Sequence, residues 1–238
     1  MPAAAEMHTF FTTPPVEGFA LLDEGDARHA LKVLRLRAGE PLYIASEGRH
    51  YEAIFDPEGD LPRVRVVREI QSREPKTRVT LYQGLSKGER MDTVMQKCTE
   101  LGIARIVPCL FSRCVAQWEG GEKKLARYSR IAREAAVQSG RSLVPEISDC
   151  LSFSALKEAL KAHEQVLIPW EAGGLPLRTA YQGAKDIALV IGPEGGMTEG
   201  EVEALGGQPI TLGPRILRTE TAGMAALTMI LTLSGDME

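Results

Sequence analysis

The chain has 238 residues, 44% of them hydrophobic and 25% charged, which suits one large or two modest globular domains with a packed core. Its formal net charge of -4 excludes a wholesale polybasic nucleic-acid binder, so any contact with nucleic acid has to come from local patches. The cysteines Cys98, Cys109, Cys114 and Cys150 form no C-x-x-C pair, the histidines His8, His29, His50 and His163 lack metal-ligand spacing, and no apolar run approaches the ~20 residues of a membrane span, so a metal-free, cytoplasmic protein with reduced cysteines is expected.

The alanine-rich leader Pro2–Ala5 is expected to be unstructured. From there to about Ile70, short apolar alternations predict strands at Phe10-Phe11, Leu42–Ile44, Tyr51–Phe55 and Val64–Ile70, a small β-rich domain. One helix interrupts it at Ala27–Arg37, where Ala27, Ala30, Leu31 and Leu34 form an apolar face. Arg28, Lys32 and Arg35 gather on another side and are candidate phosphate contacts. The polar, proline-containing stretch Gln71–Thr77 lacks periodicity and reads as the boundary between residues 1–72 and 73–238.

Beyond it the pattern changes. Strand-like runs at Val79–Gln83, Ile106–Leu110, Val166–Pro169, Ile187–Ile191 and Ile210–Leu212 alternate with helix-like stretches near Asp92–Leu101, Glu122–Ser139, Phe153–Ala162, Glu199–Leu205 and Glu220–Leu233. Such alternation predicts an α/β domain with a mostly parallel sheet. Ile187–Ile191 is apolar without alternation, as expected of a strand covered on both faces.

Two glycine-proline turns cap two of these strands: Gly192-Pro193-Glu194-Gly195-Gly196 after Ile191, and Gly213-Pro214 after Leu212. Ligands of parallel sheets bind beyond the carboxyl ends of the strands, where both turns fall. Glycines let backbone approach a ligand closely, although a plain strand-to-helix turn would use the same residues. Thr198-Glu-Gly-Glu201 has capping-box spacing and starts a helix behind the first turn. Neither a G-x-x-x-x-G-K-[ST] loop nor a G-x-G-x-x-G after the first α/β strand is present, so neither a P-loop ATPase nor an ordinary dinucleotide enzyme is supported. What remains is a pocket of backbone loops with Leu212, Ile216 and Leu217 as apolar walls, suited to the adenine ring of a cofactor.

A second constellation lies in Glu122–Arg141. At about 100° per residue, Lys123, Arg127, Arg130, Glu134 and Gln138 share one helix face, with Leu125, Tyr128, Ala132 and Ala135 broadly opposite. This is either a solvated amphipathic face or a rail for a phosphate backbone. The excess of cations in an acidic protein, and Gln138-Ser139-Gly140-Arg141 at its end, make RNA a candidate substrate. Lys87-Gly-Glu-Arg90 adds two cations at the end of the first α/β strand, where an ordinary βα loop is the alternative.

These segments together resemble the RsmE family, SPOUT-class methyltransferases acting on N3 of a uridine in small-subunit ribosomal RNA. The resemblance rests on Lys87–Asp92 with Gln96–Gly102, Ile131–Ala136 with Gln138–Arg141, Ile191–Gly196, Leu212–Ala222, and His29–Glu40 in the first domain. It implies a PUA-like, RNA-binding β-barrel over 1–72 and an α/β methyltransferase domain with a deep trefoil knot over 73–238. It also implies a homodimer, 16S rRNA or the 30S particle as partner, and S-adenosylmethionine as cofactor. Carried over by motif, the cofactor site is Ile168, Pro169, Ile191, Gly192, Pro193, Glu194, Gly195, Gly196, Leu212, Gly213, Ile216, Leu217, Arg218, Thr221 and Ala222. The RNA contacts are Arg28, His29, Lys32, Arg35, Lys87, Arg90, Arg127, Arg130, Gln138 and Arg141. Family members commonly carry arginine before the Phe-Phe pair, where this chain has His8-Thr9. The apolar tail Ala222–Leu233 reads equally as a subunit interface or a core helix.

Methylation at uracil N3 requires a proton to leave as the methyl arrives, so both reactants must be positioned and the N3 anion favoured. Arg218, a permanent cation on the cofactor loop, is the first choice to stabilise charge on the uracil carbonyls. Glu220 is the candidate base and Glu134 the runner-up. For Arg218 and Glu220 a local ion pair or helix cap is the structural alternative. A non-catalytic RNA-binding assembly factor, a methyltransferase of another nucleotide and a phosphate-binding metabolic enzyme are the competing functions.

Overall fold

The computed structural model describes residues 8–57 and 62–238, and the leader Pro2–Ala5 lies outside them. The chain divides into two compact units, one running through Glu74 and joined by Ala136–Val144, the other comprising Pro75–Ala135 and Pro145–Glu238.

The first unit is a five-stranded sheet in which β1 (Thr9–Phe11), β3 (Pro41–Ser46), β4 (Arg49–Asp56), β5 (Arg63–Ile70) and β2 (Phe19–Leu21) follow one another in space. Only β1 and β3 pair in parallel. Alternation along the strands turns Phe10, Leu42, Ile44, Tyr51, Ala53, Phe55 and Val64 inward, onto one core with Leu22 and Ala27. Strand β2 escapes sequence detection because three residues are too few to show a period.

The expected helix Ala27–Arg37 is corrected. Helix α1 spans Glu24–Arg28, capped by the Asp23 carboxylate, which accepts from Asp26 N at 2.7 Å. A π-helical turn, His29–Val33, continues it and closes with Leu34 N donating to His29 O at 3.0 Å. Arg35 then takes a left-handed φ of 56°. The wider turn breaks the 100° periodicity on which the apolar face was built, and Leu31 faces solvent. Arg28, His29, Lys32 and Arg35 are all exposed.

Ala136–Val144 joins this unit through Glu74. One carboxylate oxygen accepts from Ser142 N at 2.8 Å and Leu143 N at 3.1 Å, while the other faces Arg141 Nε at 3.1 Å. The Ser142 hydroxyl donates to Gly48 O at 2.9 Å.

The second unit holds seven parallel strands in the order β10 (Leu175–Pro176), β12 (Gln208–Thr211), β9 (Gln165–Pro169), β11 (Asp186–Ile191), β6 (Arg78–Gly84), β7 (Arg105–Cys109), β8 (Glu146–Ile147). Central β11 explains its unbroken apolarity. Ile187, Leu189 and Ile191 face one core, formed with α2 (Arg90–Glu100), α5 (Leu177–Ala180) and α7 (Thr219–Leu233). Ala188 and Val190 face the other, formed with α4 (Phe153–Leu160) and α6 (Glu199–Leu205). Of α7, Ala226, Leu227, Ile230 and Leu231 are buried in the first core, whereas Met229 and Leu233 are exposed. Among the described residues no helix is long and apolar enough to cross a membrane.

The expected capping box is present. Glu201 N donates to the Thr198 hydroxyl at 3.2 Å, and Thr198 N donates back to the Glu201 carboxylate at 2.9 Å. Burial pushes the Glu201 carboxyl up, but hydrogen bonds from Ser112 and Thr198 outweigh it and hold the group below its ordinary range.

Candidate active site

Because the sheet is parallel, β9, β11 and β12 end at the same edge, and the turns after Pro169, Ile191 and Thr211 meet there. They enclose a cavity of about 630 Å³, within the ~300–1,000 Å³ typical of small-molecule sites. Of the expected cofactor residues, Pro169, Ile191–Gly196, Leu212, Gly213, Ile216, Leu217, Arg218 and Ala222 line it. Ile168 and Thr221 do not: Ile168 is buried in the core beneath α4 and α6, and Thr221 faces solvent. Ile216 is 87% exposed, so it stands at the mouth rather than forming a buried apolar wall.

Backbone conformation shapes this cavity. Gly196 has φ 70° and Gly213 φ 114°, values that strain any side-chain-bearing residue. A Cβ on Gly84, at the end of β6, would lie 2.6 Å from Gly192 C and closer still to Pro193 N. The first turn therefore crosses bare backbone.

Arg90, at the start of α2, joins the two walls. Its Nη1 is 3.0 Å from Glu194 Oε1 and its Nε is 3.8 Å from Glu220 Oε2. Glu194 Oε1 also accepts from Lys87 N at 3.1 Å, while the Lys87 residue itself is exposed. Arg90 is thus a structural element of the cavity wall. Glu220 Oε2 is buried and has no hydrogen-bond partner, an unmet acceptor in a cavity-lining residue. Arg218 precedes α7, is exposed, and forms no ion pair among the described residues.

Glu134 does not line the cavity. It is on the exposed face of α3 (Gly121–Gln138), paired with Arg130 at 3.3 Å, and a base must come within hydrogen-bond reach of its proton. Arg127 on the same face pairs with Asp92. Tyr128, Ala132 and Ala135 are buried opposite, and Gln138 is exposed. Arg141 is corrected as an RNA contact: its side chain is 7% exposed and its guanidinium is held by Glu74, so it serves the first unit's packing.

Gln83, Gly84, Trp170, Glu171 and Thr219 escape sequence reasoning. Trp170, Glu171 and Thr219 line the cavity. Gln83 lies beneath it, donating through Nε2 to the Thr219 hydroxyl at 2.7 Å, and Thr219 Oγ1 donates to Gly192 O at 2.6 Å. A glutamine closing the strand-like run Val79–Gln83 was the available signal.

A backbone-walled cavity beyond the carboxyl edge of a parallel sheet, with carboxylates and guanidinium groups in its lining, defines an α/β protein built to hold a partly apolar cofactor. The family model described as RNA methyltransferase domain matches residues 72–231. The ribosomal RNA small subunit methyltransferase E of Mycobacterium bovis is 33% identical, covering 94% of this chain and 90% of its own. The protein of the same name from Bacillus subtilis is 32% identical over 86% of each chain. A crystal structure of a ribosomal RNA small subunit methyltransferase E from Neisseria gonorrhoeae bound to S-adenosyl methionine is 32% identical, covers 95% of this chain and 98% of that one, and superposes with a TM-score of 0.81. The chain belongs to the ribosomal RNA small subunit methyltransferase E family.

Proposed function

We propose that the protein transfers a methyl group from S-adenosylmethionine to N3 of a uridine in 16S rRNA. The observation that carries this reading is the presence, in the lining of one cavity, of an exposed cation, Arg218, and a buried acceptor that receives no hydrogen bond, Glu220 Oε2. The residues suit the cofactor: glycine-rich turns for close backbone approach, Leu212 and Leu217 as apolar walls, and the carboxylates Glu171 and Glu194 for a ligand bearing positive charge. S-adenosylmethionine supplies an electrophilic methyl on its sulfonium.

The chain's own residues supply the rest. Glu220 Oε2 accepts the proton of uracil N3, and Arg218 stabilises negative charge on the uracil carbonyls as that proton leaves. The 3.8 Å approach of Arg90 Nε to Glu220 Oε2 restrains the carboxylate without fully satisfying it. The uridine is unstacked to reach the cavity. Arg28, His29, Lys32 and Arg35 in the first unit, and Lys87, Arg127, Arg130 and Gln138, hold the RNA backbone. The same reading carries a PUA-like barrel for the first unit, a trefoil knot at the cofactor turns, a homodimer, and a cytoplasmic protein acting on 16S rRNA or the 30S particle.

Calorimetry with S-adenosylmethionine tests the cofactor, and tritiated methyl transfer into small-subunit RNA or 30S particles tests the reaction. Saturable binding without transfer would favour an RNA-binding assembly factor; absence of saturable binding would sink the reading altogether.

A further inference from the structure

Two walls of the cavity, the Gly192–Gly196 turn and the start of α7, come from chain segments 27 residues apart at Gly192 and Thr219. Each has to keep its backbone groups in place for a ligand to be read by backbone. We propose that Gln83 and Gly84, outside the cavity lining, act as a common positioning base for both walls, through Thr219. This inference rests on reading the cavity as the cofactor site.

Gln83 is fully buried at the carboxyl end of β6, beneath the two cavity walls. The direction of its hydrogen bonds follows from the chemistry of their partners. Gly192 O can only accept, so the Thr219 hydroxyl proton points to it at 2.6 Å. The hydroxyl must therefore accept from Gln83, which makes the atom 2.7 Å away the carboxamide nitrogen. The relay runs one way, Gln83 Nε2 to Thr219 Oγ1 to Gly192 O. It fixes the carbonyl of the first wall against the first residue of α7, between Arg218 and Glu220.

Two glycines make room for it. Gly84 lets Gly192-Pro193 pass directly over the end of β6, where any Cβ would collide. One turn into α7, a Cβ on Gly223 would lie 3.3 Å from Gln83 Oε1, so glycine lets the helix settle close to the carboxamide. That oxygen is itself buried without a partner. Retaining a polar side chain with one unmet atom fits a positioning role better than a stabilising one, because an apolar replacement would remove that desolvation cost.

The test compares Thr219→Val, which keeps the shape and removes the relay, with Thr219→Ser, which keeps the hydroxyl, and with Gln83→Met, which removes only the first donor. Amide hydrogen exchange in the ligand-free protein reads the turn directly. Exchange across residues 194–197 should accelerate at least about tenfold in Thr219→Val and remain near wild type in Thr219→Ser. S-adenosylmethionine affinity should fall about tenfold in Thr219→Val with kcat falling further, KM for RNA moving little, and Thr219→Ser restoring both. Gln83→Met should be intermediate in all three readouts.

Unchanged exchange and affinity in Thr219→Val would overturn the relay. So would equal damage in Thr219→Ser, which would mean that packing alone matters. A wild-type protein that fails to bind S-adenosylmethionine would instead overturn the cofactor reading, a result visible before any variant is made.

Discussion

Arg90 Nη1 lies 3.0 Å from Glu194 Oε1, and through this contact the start of α2 is tied to the glycine-rich turn that walls the cavity. Both side chains are partly exposed, so the pair adds at most ~1 kcal/mol to folding. Its importance is positional. Arg90→Met should shift the melting temperature by only a few degrees, while weakening S-adenosylmethionine binding and lowering kcat several-fold. Calorimetry, thermal unfolding and single-turnover transfer separate these effects.

Glu220→Gln removes the proposed proton acceptor while preserving size and most of the local polarity. A drop in kcat of about 10²–10⁴, with cofactor affinity changed only a few-fold, is the expected result. Cofactor loss parallel to the loss in rate would make Glu220 a binding residue. Glu134→Gln, on the surface of α3, should leave kcat near wild type.

His50 sits in the first unit with both ring nitrogens buried and without hydrogen-bond partners. Burial first, then the positive charge of Arg73, lowers its pKa from 6.5, against the opposing pull of Glu74. The folded state thus favours the neutral ring, while the unfolded chain takes up a proton more readily. Stability is full above about pH 6.5 and declines as pH falls below it toward the depressed folded value. His50→Leu should flatten this part of the pH dependence in urea unfolding, and an unchanged slope would assign it to other groups.

Asp236 caps the chain's end against Lys76 N at 2.9 Å and Thr77 N at 3.0 Å. Burial would raise its carboxyl, but the bonds from Lys76, Ser234 and Thr77 prevail and hold it at about 2, against 3.8 unperturbed. A depressed carboxylate stabilises above the unfolded value and loses that contribution as pH drops through the folded one. Asp236→Ala should cost ~1 kcal/mol at neutral pH, allowing for solvent screening of this partly exposed group. The gap from wild type should close between about pH 4 and about pH 2.

Reversing Arg127 and Arg130 to Glu should weaken RNA binding and flatten its dependence on salt, leaving S-adenosylmethionine affinity unchanged. Each already faces a carboxylate, Asp92 and Glu134 respectively, and the slope should change by about one for every phosphate no longer neutralised. An unchanged slope would mark the stripe as a solvated face.

Features written in short stretches of chain were legible in advance. Gly192-Pro193 and Gly213-Pro214 announced turns because glycine and proline act on their own backbone, and Thr198 with Glu201 announced a helix start for the same reason. Other features depend on distant partners. Arg141 looked like a phosphate ligand until Glu74, 67 residues earlier, buried its guanidinium. Gln83 and Thr219 are 136 residues apart and acquire their role only when β6 lies beneath α7. Helix α1 misled because a constant 100° step cannot represent the change to a π-helical turn at His29.

The modified nucleotide decides the proposed reaction. 16S rRNA from a strain lacking this protein, incubated as 30S particles with the purified protein and S-adenosylmethionine, can be digested and its methylated fragment sequenced by mass spectrometry. One uridine carrying a single added methyl on N3, restored by wild type and not by Glu220→Gln, is the predicted result. A methyl on a ribose, on another base, or no methyl at all would contradict it.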